Sequence, residues 1–469
     1  RTQLLEQLAD HDDELLEQLL MDETPQPDHV LRDLARETRE NLGVPVLFGS
    51  AANCFGVRRL MKALRHEAPE PASTAQRLGV TDPALFAFKV SNAGTMGRLV
   101  FARLLGGSLG EGADVRDADG RTTRLGSLFA AQGEKMQRLG QAGDGEVVAL
   151  AKLDQLKAGQ WLGTGKLPPV PDLPLPALNC AMAIEPADRK DDVRLSGALH
   201  KLLEEDPSLR LDHDETAHEI RLSGVNEEQL NNVIAKLKRR YGVAVKHRPP
   251  TIGYRTSIRR SVTQRGRHKK QSGGHGQFGD VVIDVRPLGR GEGFQFTETI
   301  HGGAIPKQYI PAVEQGIRDA MAKGPLGFAV VDVAVTLTDG SYHTVDSSEL
   351  AFRLAGRIAM QEALAAAQPH LLEPVHKVTV VSPNAATSRV SSAVASRRGQ
   401  MLGLGQRDGW DGWDRVEALI PEAELSGLEA ELRSLSQGLA TYEAEFDHLA
   451  ELNGTLADRV VKAREPEAA

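Results

Sequence analysis

Apolar and polar positions alternate with several different periods along this chain, and each change of period marks off a block. Over residues 1–40 leucines recur at helical spacing (Leu4, Leu5 and Leu8; Leu15, Leu16 and Leu19). "TPQP" at 24–27 interrupts them, so the pattern predicts an all-helical stretch. "GVPVLFGSAANCFGVRRLMKAL" then predicts a short buried strand, a polar turn and a helix, one edge of a larger α/β domain. From Leu85 to Gly165 short apolar runs such as "LFAFKVS" and "GRLVFARLL" alternate with Gly and Asp-Gly turns, the rhythm of a small β-barrel. The proline-rich "KLPPVPDLPLPAL", residues 166–178, is an extended linker by composition.

After the linker the order becomes strand-helix-strand, twice over. "NCAMAIEPA" and "LRLDHDE" flank the helix pattern "VRLSGALHKLLEED", and "HEIRLSGV", "NEEQLNNVIAKLKRRYG" and "VAVKHRP" repeat it: βαββαβ, the ferredoxin-like order. The same succession returns in "VHKVTVVSP", a helix over 385–397, "GQMLGLGQ", "DRVEALIP", a helix over 422–435 and "ATYEAEFDHL". Between the two modules, residues 250–370 predict strands in "DVVIDVRPL" and "FAVVDVAVTL" and helices near 310–322 and 347–366.

Length and composition narrow the class. The 469 residues suit about three to five domains, and no apolar run approaches the ~18 residues of a membrane helix. Cys54 and Cys180 are too few and too far apart for a disulfide framework or a metal-ligand cluster, so a reducing cytoplasm is the expected compartment. The chain opens on "RTQLLEQL", inside a helix pattern and without an initiator methionine, and the expectation is that sequence upstream is missing. A formal charge of −8 argues against indiscriminate coating of nucleic acid. Its distribution matters more, because from Lys246 to Gly279 there are nine cations and no Asp or Glu.

That basic run ends in "RGRHKKQSGGHGQFGD", whose tail spells G-x-G-x-x-G. A dinucleotide fingerprint needs a strand before it and a helix after it. Here a basic loop precedes and the strand "DVVIDV" follows, so glycines at a hairpin tip are the better reading. "GGSLG" at 106–110 matches the nucleophile-elbow pattern, but β structure follows it, which makes Ser108 a turn residue. His268, His275, His301 and His343 have no Cys or carboxylate at ligand spacing, and no metal is expected on them. A solvated basic face is the bland reading of the charge run, and the adjoining glycines count against it.

"KKQSGGHGQFGDVVIDVRPLGRGEGFQF", "GGAIPKQYIPAVEQGIRDAM", "VVDVAVTLTDGSYHTVDSSELAF" and "SRRGQMLG" fall in order between residues 269 and 403. Together they resemble bacterial elongation factor G, and "GRHKKQSGGHGQFGD" is most similar to the family's divergent elongation-factor-G-like paralogues. The resemblance implies a multidomain α/β and β protein: a remnant of a P-loop GTPase domain (1–69), a small β-barrel (72–166), a ferredoxin-like domain (177–249), an arm domain of α+β type (250–370) and a second ferredoxin-like domain (371–469). It implies a monomeric cytoplasmic translational GTPase, with no membrane association, that couples GTP hydrolysis to tRNA–mRNA translocation while the arm enters the decoding site of the ribosome.

On that resemblance Arg265, Arg267, His268, Lys269, Lys270, Gly273, Gly274, His275, Gly276 and Gln277 would form one RNA-contacting tip loop and His343 a second. Glycines let a backbone approach RNA, and cations neutralise its phosphates. Arg397 and Arg398 would add another contact, with charges at a helix C-terminus as the competing reading. Gly49, Ser50 and Ala51 match the family's guanine-binding turn, the cofactor being GTP with Mg. The phosphate loop G-x-x-x-x-G-K-[ST] and the switch histidine are not in these residues, so this chain alone is expected to be inactive as a GTPase, with no catalytic residue of its own. Departures from the family pattern, "SGVNEEQLNNV" at 223–233 in place of a glycine-rich "GMGELHLE" and no Gly-Asp pair before Arg397, point to a divergent paralogue. Two alternatives follow: a factor for ribosome disassembly or GTP-dependent ribosome binding without translocation, and a GTPase-dead RNA-binding or assembly protein.

Overall fold

The computed structural model describes residues 2–21, 23–93, 96–133, 135–170, 174–214, 219–270 and 276–464. The chain divides into two compact units, residues 1–174 with 204–206, and the remainder.

In the first unit three short helices, Thr2–Ala9, Asp13–Leu20 and Pro27–Arg39, bury Leu8, Ala9 and Leu15 among themselves. The buried strand expected at 44–48 is not formed. Val44, Val46 and Phe48 are exposed, and only an isolated bridge from Ser50 to Phe55 follows them. A strand is buried by neighbours in its sheet, and among the described residues none pairs with this segment. The helix Val57–Glu67 follows as expected. Residues 84–163 contribute to an eight-stranded antiparallel sheet around one apolar interior, including Val100, Leu104, Leu128, Val148 and Leu150. Ser108 lies just before a two-residue strand, Leu109–Gly110, and its hydroxyl accepts from Gln141, so it occupies no elbow.

The second unit contains both βαββαβ modules. In the first, strands Cys180–Pro186, Arg210–Asp214, Glu219–Gly224 and Val245–Arg248 lie in spatial order second, third, first, fourth, with helices Asp192–Glu205 and Glu227–Tyr241 packed on them. Strands Pro369–Pro383, Gln400–Gln406, Trp413–Pro421 and Thr441–Leu452 repeat that order. Between them a four-stranded sheet is built from Val262–Lys270, Gln277–Pro287, Phe294–Glu298 and Val333–Ser341. Helices Ile310–Ala322 and Glu349–Ala366 share its core through Val313, Ile317, Phe352 and Ala359.

The basic segment expected to be a loop is largely strand. Val262–Lys270 pairs antiparallel with Gln277–Pro287, from Val262 opposite Val285 to Lys270 opposite Gln277. Its inward positions are Val262, Gln264, Gly266 and His268, and a Cβ on Gly266 would stand 2.4 Å from the Ala355 carbonyl oxygen of the covering helix. Glycine therefore lets helix Glu349–Ala366 lie directly on the hairpin, and it removes the apolar alternation by which a strand is recognised.

Candidate RNA interface

The hairpin projects a row of cations toward its tip. Arg265, Arg267, Lys269 and Lys270 are exposed, whereas Gly266 is buried and His268 half-buried. Arg265 is the most firmly held: its guanidinium forks onto the Asp280 carboxylate with Nε at 2.8 Å and Nη2 at 2.5 Å, and Ser341 Oγ donates to the same carboxylate at 2.7 Å. Asp280 is fully buried. The Arg265 hydrogen bonds hold its carboxyl below the usual carboxylate range, against the opposing effect of burial. Arg265 thus ties the two strands together while its outer side stays open to solvent. Arg267 lies over the Phe278 ring at 5.3 Å, and His268 Nε2 shares a hydrogen bond with Gln277 Oε1 at 2.9 Å. Lys269 and Lys270 have no ion-pair partner among the described residues, which leaves their charge available.

The second loop folds against this tip. Phe278 N donates to the Asp346 carbonyl at 2.8 Å, and Ser347 Oγ donates to the Phe278 carbonyl at 2.9 Å. His343 meets the Phe278 ring edge-on at 6.4 Å, and its own amide donates to Ser347 Oγ. The amides of Val345 and Asp346 stand 3.3 and 3.2 Å from His343 Nδ1, and the Asp346 carboxylate stands 3.2 Å from the same nitrogen. A Cβ on Gly276 would stand 2.8 Å from Asp346 Cγ, so any larger residue there would have to displace the Asp346 carboxylate of the second loop. The structure therefore brings His343 beside Gly276, Gln277 and the cation row. Gly273, Gly274 and His275 lie outside the described residues.

Beside His343 the surface carries two side chains that the sequence pattern did not single out. Tyr342 and Val345 are exposed at 46% and 65%. An aromatic ring with an open face can stack on an unpaired base without reading its identity. The signal was present as "SYH", but an isolated tyrosine in a polar loop carries no periodicity.

Arg397 and Arg398 are placed differently. Arg397 donates to Glu431 Oε2 at 2.7 Å and to the carbonyls of Glu424 and Ser426. Arg398, at the left-handed φ of 54°, forks onto the Glu373 carboxylate at 2.7 and 2.9 Å and reaches Glu424 at 2.8 Å. Both guanidinium groups are engaged within the last module. The Gly49–Ala51 turn is closed by Ser50 N donating to the Phe55 carbonyl, and a Cβ on Gly49 would stand 2.7 Å from that oxygen. One of its three amides is therefore already used. His301 is exposed in a turn, and among the described residues neither it, His268 nor His343 joins a metal-binding group.

Models of three families match in succession: "Elongation Factor G, domain III" over residues 173–249, "Elongation factor G, domain IV" over 250–368 and "Elongation factor G C-terminus" over 370–460. An "Elongation factor G-like protein" from Synechocystis sp. is 44% identical over 458 residues, 96% of this chain and 67% of that protein. The chain belongs to the elongation factor G family. A crystal structure of a Thermus thermophilus protein superposes with a TM-score of 0.78 at 35% identity, covering all of this chain and 70% of that one. The paired loops lie within the residues matched by the domain IV model of elongation factor G, and Arg397 and Arg398 within those matched by its C-terminal model. The family is one of GTPases of protein synthesis, and no described helix is long and apolar enough to cross a membrane.

Proposed function

We propose that this chain is the ribosome-facing part of an elongation-factor-G-like GTPase and that its arm, residues 250–370, carries the RNA contact at its tip. The supporting observation is the convergence of two loops: Arg267, His268, Lys269 and Lys270 on one, with Gly276 and Gln277 at its base, and Tyr342 and His343 on the other. Cations neutralise phosphates, while the exposed rings of Tyr342 and His343 suit the bases and 2′-hydroxyls of irregular RNA. Decoding-site RNA and tRNA are the partners in this reading.

Residues 1–69 are then the C-terminal part of a GTP-binding domain, 72–166 a barrel, and 177–249 and 371–469 the ferredoxin-like domains on either side of the arm. The turn Gly49–Ala51 is tight enough to present backbone amides to a guanine base. The phosphates of GTP and its Mg2+ would be held by sequence not contained in these residues. Nucleotide state would favour one ribosome-bound arrangement over another, so that hydrolysis lets a monomeric cytoplasmic factor move tRNA and mRNA in one direction. A second reading, ribosome disassembly or binding without translocation, rests on the divergent "SGVNEEQLNNV" in place of the family's glycine-rich stretch.

A photo-cross-linking residue at position 270 tests the arm's role. It is expected to attach to small-subunit ribosomal RNA or tRNA; cross-links confined to ribosomal proteins would contradict it.

A further inference from the structure

Outside the arm, the helices at the start of the chain enclose a polar cluster that no step of the function uses. Asp12 is the N-cap of helix Asp13–Leu20: its Oδ1 accepts from Leu15 N at 2.9 Å, which turns Oδ2 toward helix Pro27–Arg39. On that helix His29 and Asp33 stand one turn apart on the same face. His29 Nε2 lies 3.5 Å from Asp12 Oδ2 and 3.3 Å from Asp33 Oδ2, and the side chains of Asp12, His29 and Asp33 are only 10%, 13% and 6% exposed. Despite that proximity Asp33 Oδ2 is buried with no hydrogen-bond partner. Arg36 approaches from the outer side, 3.4 Å from Asp12 Oδ2 and 3.5 Å from Asp33 Oδ1, and does not satisfy Asp33 Oδ2. One turn further, Glu37 is also buried, with its Oε1 orphaned.

One half-buried and one buried carboxylate face one imidazole, with Asp33 Oδ2 unsatisfied and a single partly exposed guanidinium, Arg36, beside them. Around an ion with ligand distances of about 2.1 Å, the donors of a tetrahedral site stand about 3.4 Å apart. The observed 3.3 and 3.5 Å bracket that edge, and all three donor atoms lie within 4.8 Å of one another. We propose that Asp12 Oδ2, His29 Nε2 and Asp33 Oδ2 form a site for one first-row divalent cation, with Zn2+ the best match. The ring nitrogen selects a transition metal over Mg2+ or Ca2+, and the pair of carboxylates balances its charge. A water would complete four-coordination; Arg36 would keep its contact with the non-ligating Asp33 Oδ1 and give up Asp12 Oδ2 to the ion. Bound there, the ion ties the N-cap of one helix to the face of the next and stabilises the three-helix stretch.

The test is calorimetric titration of ZnCl2 into the 469-residue chain, with circular dichroism to confirm folding, alongside His29→Gln, Asp33→Asn and the control His301→Gln. The expected result is one Zn2+ per chain, unchanged in His301→Gln, with affinity lowered at least ~10-fold in His29→Gln and in Asp33→Asn. Zn2+ should raise the melting temperature of the unmodified chain and leave that of His29→Gln where it was. Absence of saturable binding overturns the site, as does binding in His29→Gln as tight as in the unmodified chain. If Asp33→Asn does not fold, His29→Gln decides alone.

Discussion

Two basic segments of this chain read alike in sequence and fold into opposite circumstances. "GRHKK" at 266–270 and "SRRG" at 396–399 both set adjacent cations beside glycine. In the arm, Lys269 and Lys270 stand exposed at the end of a hairpin and engage no carboxylate among the described residues. In the last module, Arg397 and Arg398 are clasped by Glu431, Glu424 and the buried Glu373. Charge density along the chain therefore does not identify an interface. What matters is whether folding brings a carboxylate to meet the charge. The first pair is available to a partner, and the second holds its own domain together.

The largest effect that would sharpen the contrast is in the clasp. Arg398→Ala leaves Glu373, 5% exposed, as a buried carboxylate without its fork partner. Unfolding of this variant in urea should show a loss of about 3 kcal/mol, the scale for breaking one side of a buried pair. A loss under about 0.5 kcal/mol would place Arg398 with ordinary surface residues and dissolve the distinction.

Arg265 stands between the two classes, exposed on one side and paired on the other, and acid titration resolves it. The Asp280 carboxyl is lowered in the folded state by Arg265, so its contribution is present above the unfolded carboxyl value and lost as pH falls through the lowered folded value. Arg265→Met removes the largest lowering influence and leaves burial opposed only by the Ser341 hydrogen bond and the Arg267 charge, so the folded value rises. Stability should then decline at higher pH than in the unmodified chain, as followed by circular dichroism. Coincident acid transitions would mean that the Arg265–Asp280 pair contributes nothing.

Much of the fold was legible because the two βαββαβ modules write their periods plainly, with apolar runs for strands and amphipathic spacing for Asp192–Glu205 and Glu227–Tyr241. The strand Gln277–Pro287 was legible from its apolar run, while the glycines expected at the hairpin tip, Gly273 and Gly274, lie outside the described residues. The strand Val262–Lys270 was not legible, since after Val262 its inward positions are Gln264, Gly266 and His268 and the helix above it takes the place of side chains. Residues 44–48 failed in the opposite direction: an apolar run suggests burial, yet burial needs neighbours that no local pattern supplies. The engagement of Arg397 and Arg398 was hidden because Glu373, Glu424 and Glu431 lie 25 to 34 residues away. The Asp12–His29–Asp33 group was hidden because Asp12 comes from a different helix, well before the basic half of the chain. The i, i+4 pair His29 and Asp33 on the inward face of an amphipathic helix was its available signal.

The measurement that tests the comparison most directly is the salt dependence of ribosome binding by the intact protein carrying Lys269→Ala together with Lys270→Ala. Folding stability should change by no more than about 0.5 kcal/mol, because neither lysine engages a carboxylate among the described residues. The slope of log affinity against log salt should become shallower by about one unit per lysine removed. A slope equal to that of the unmodified protein would mean that these lysines meet no phosphate, and the arm-tip reading would fall.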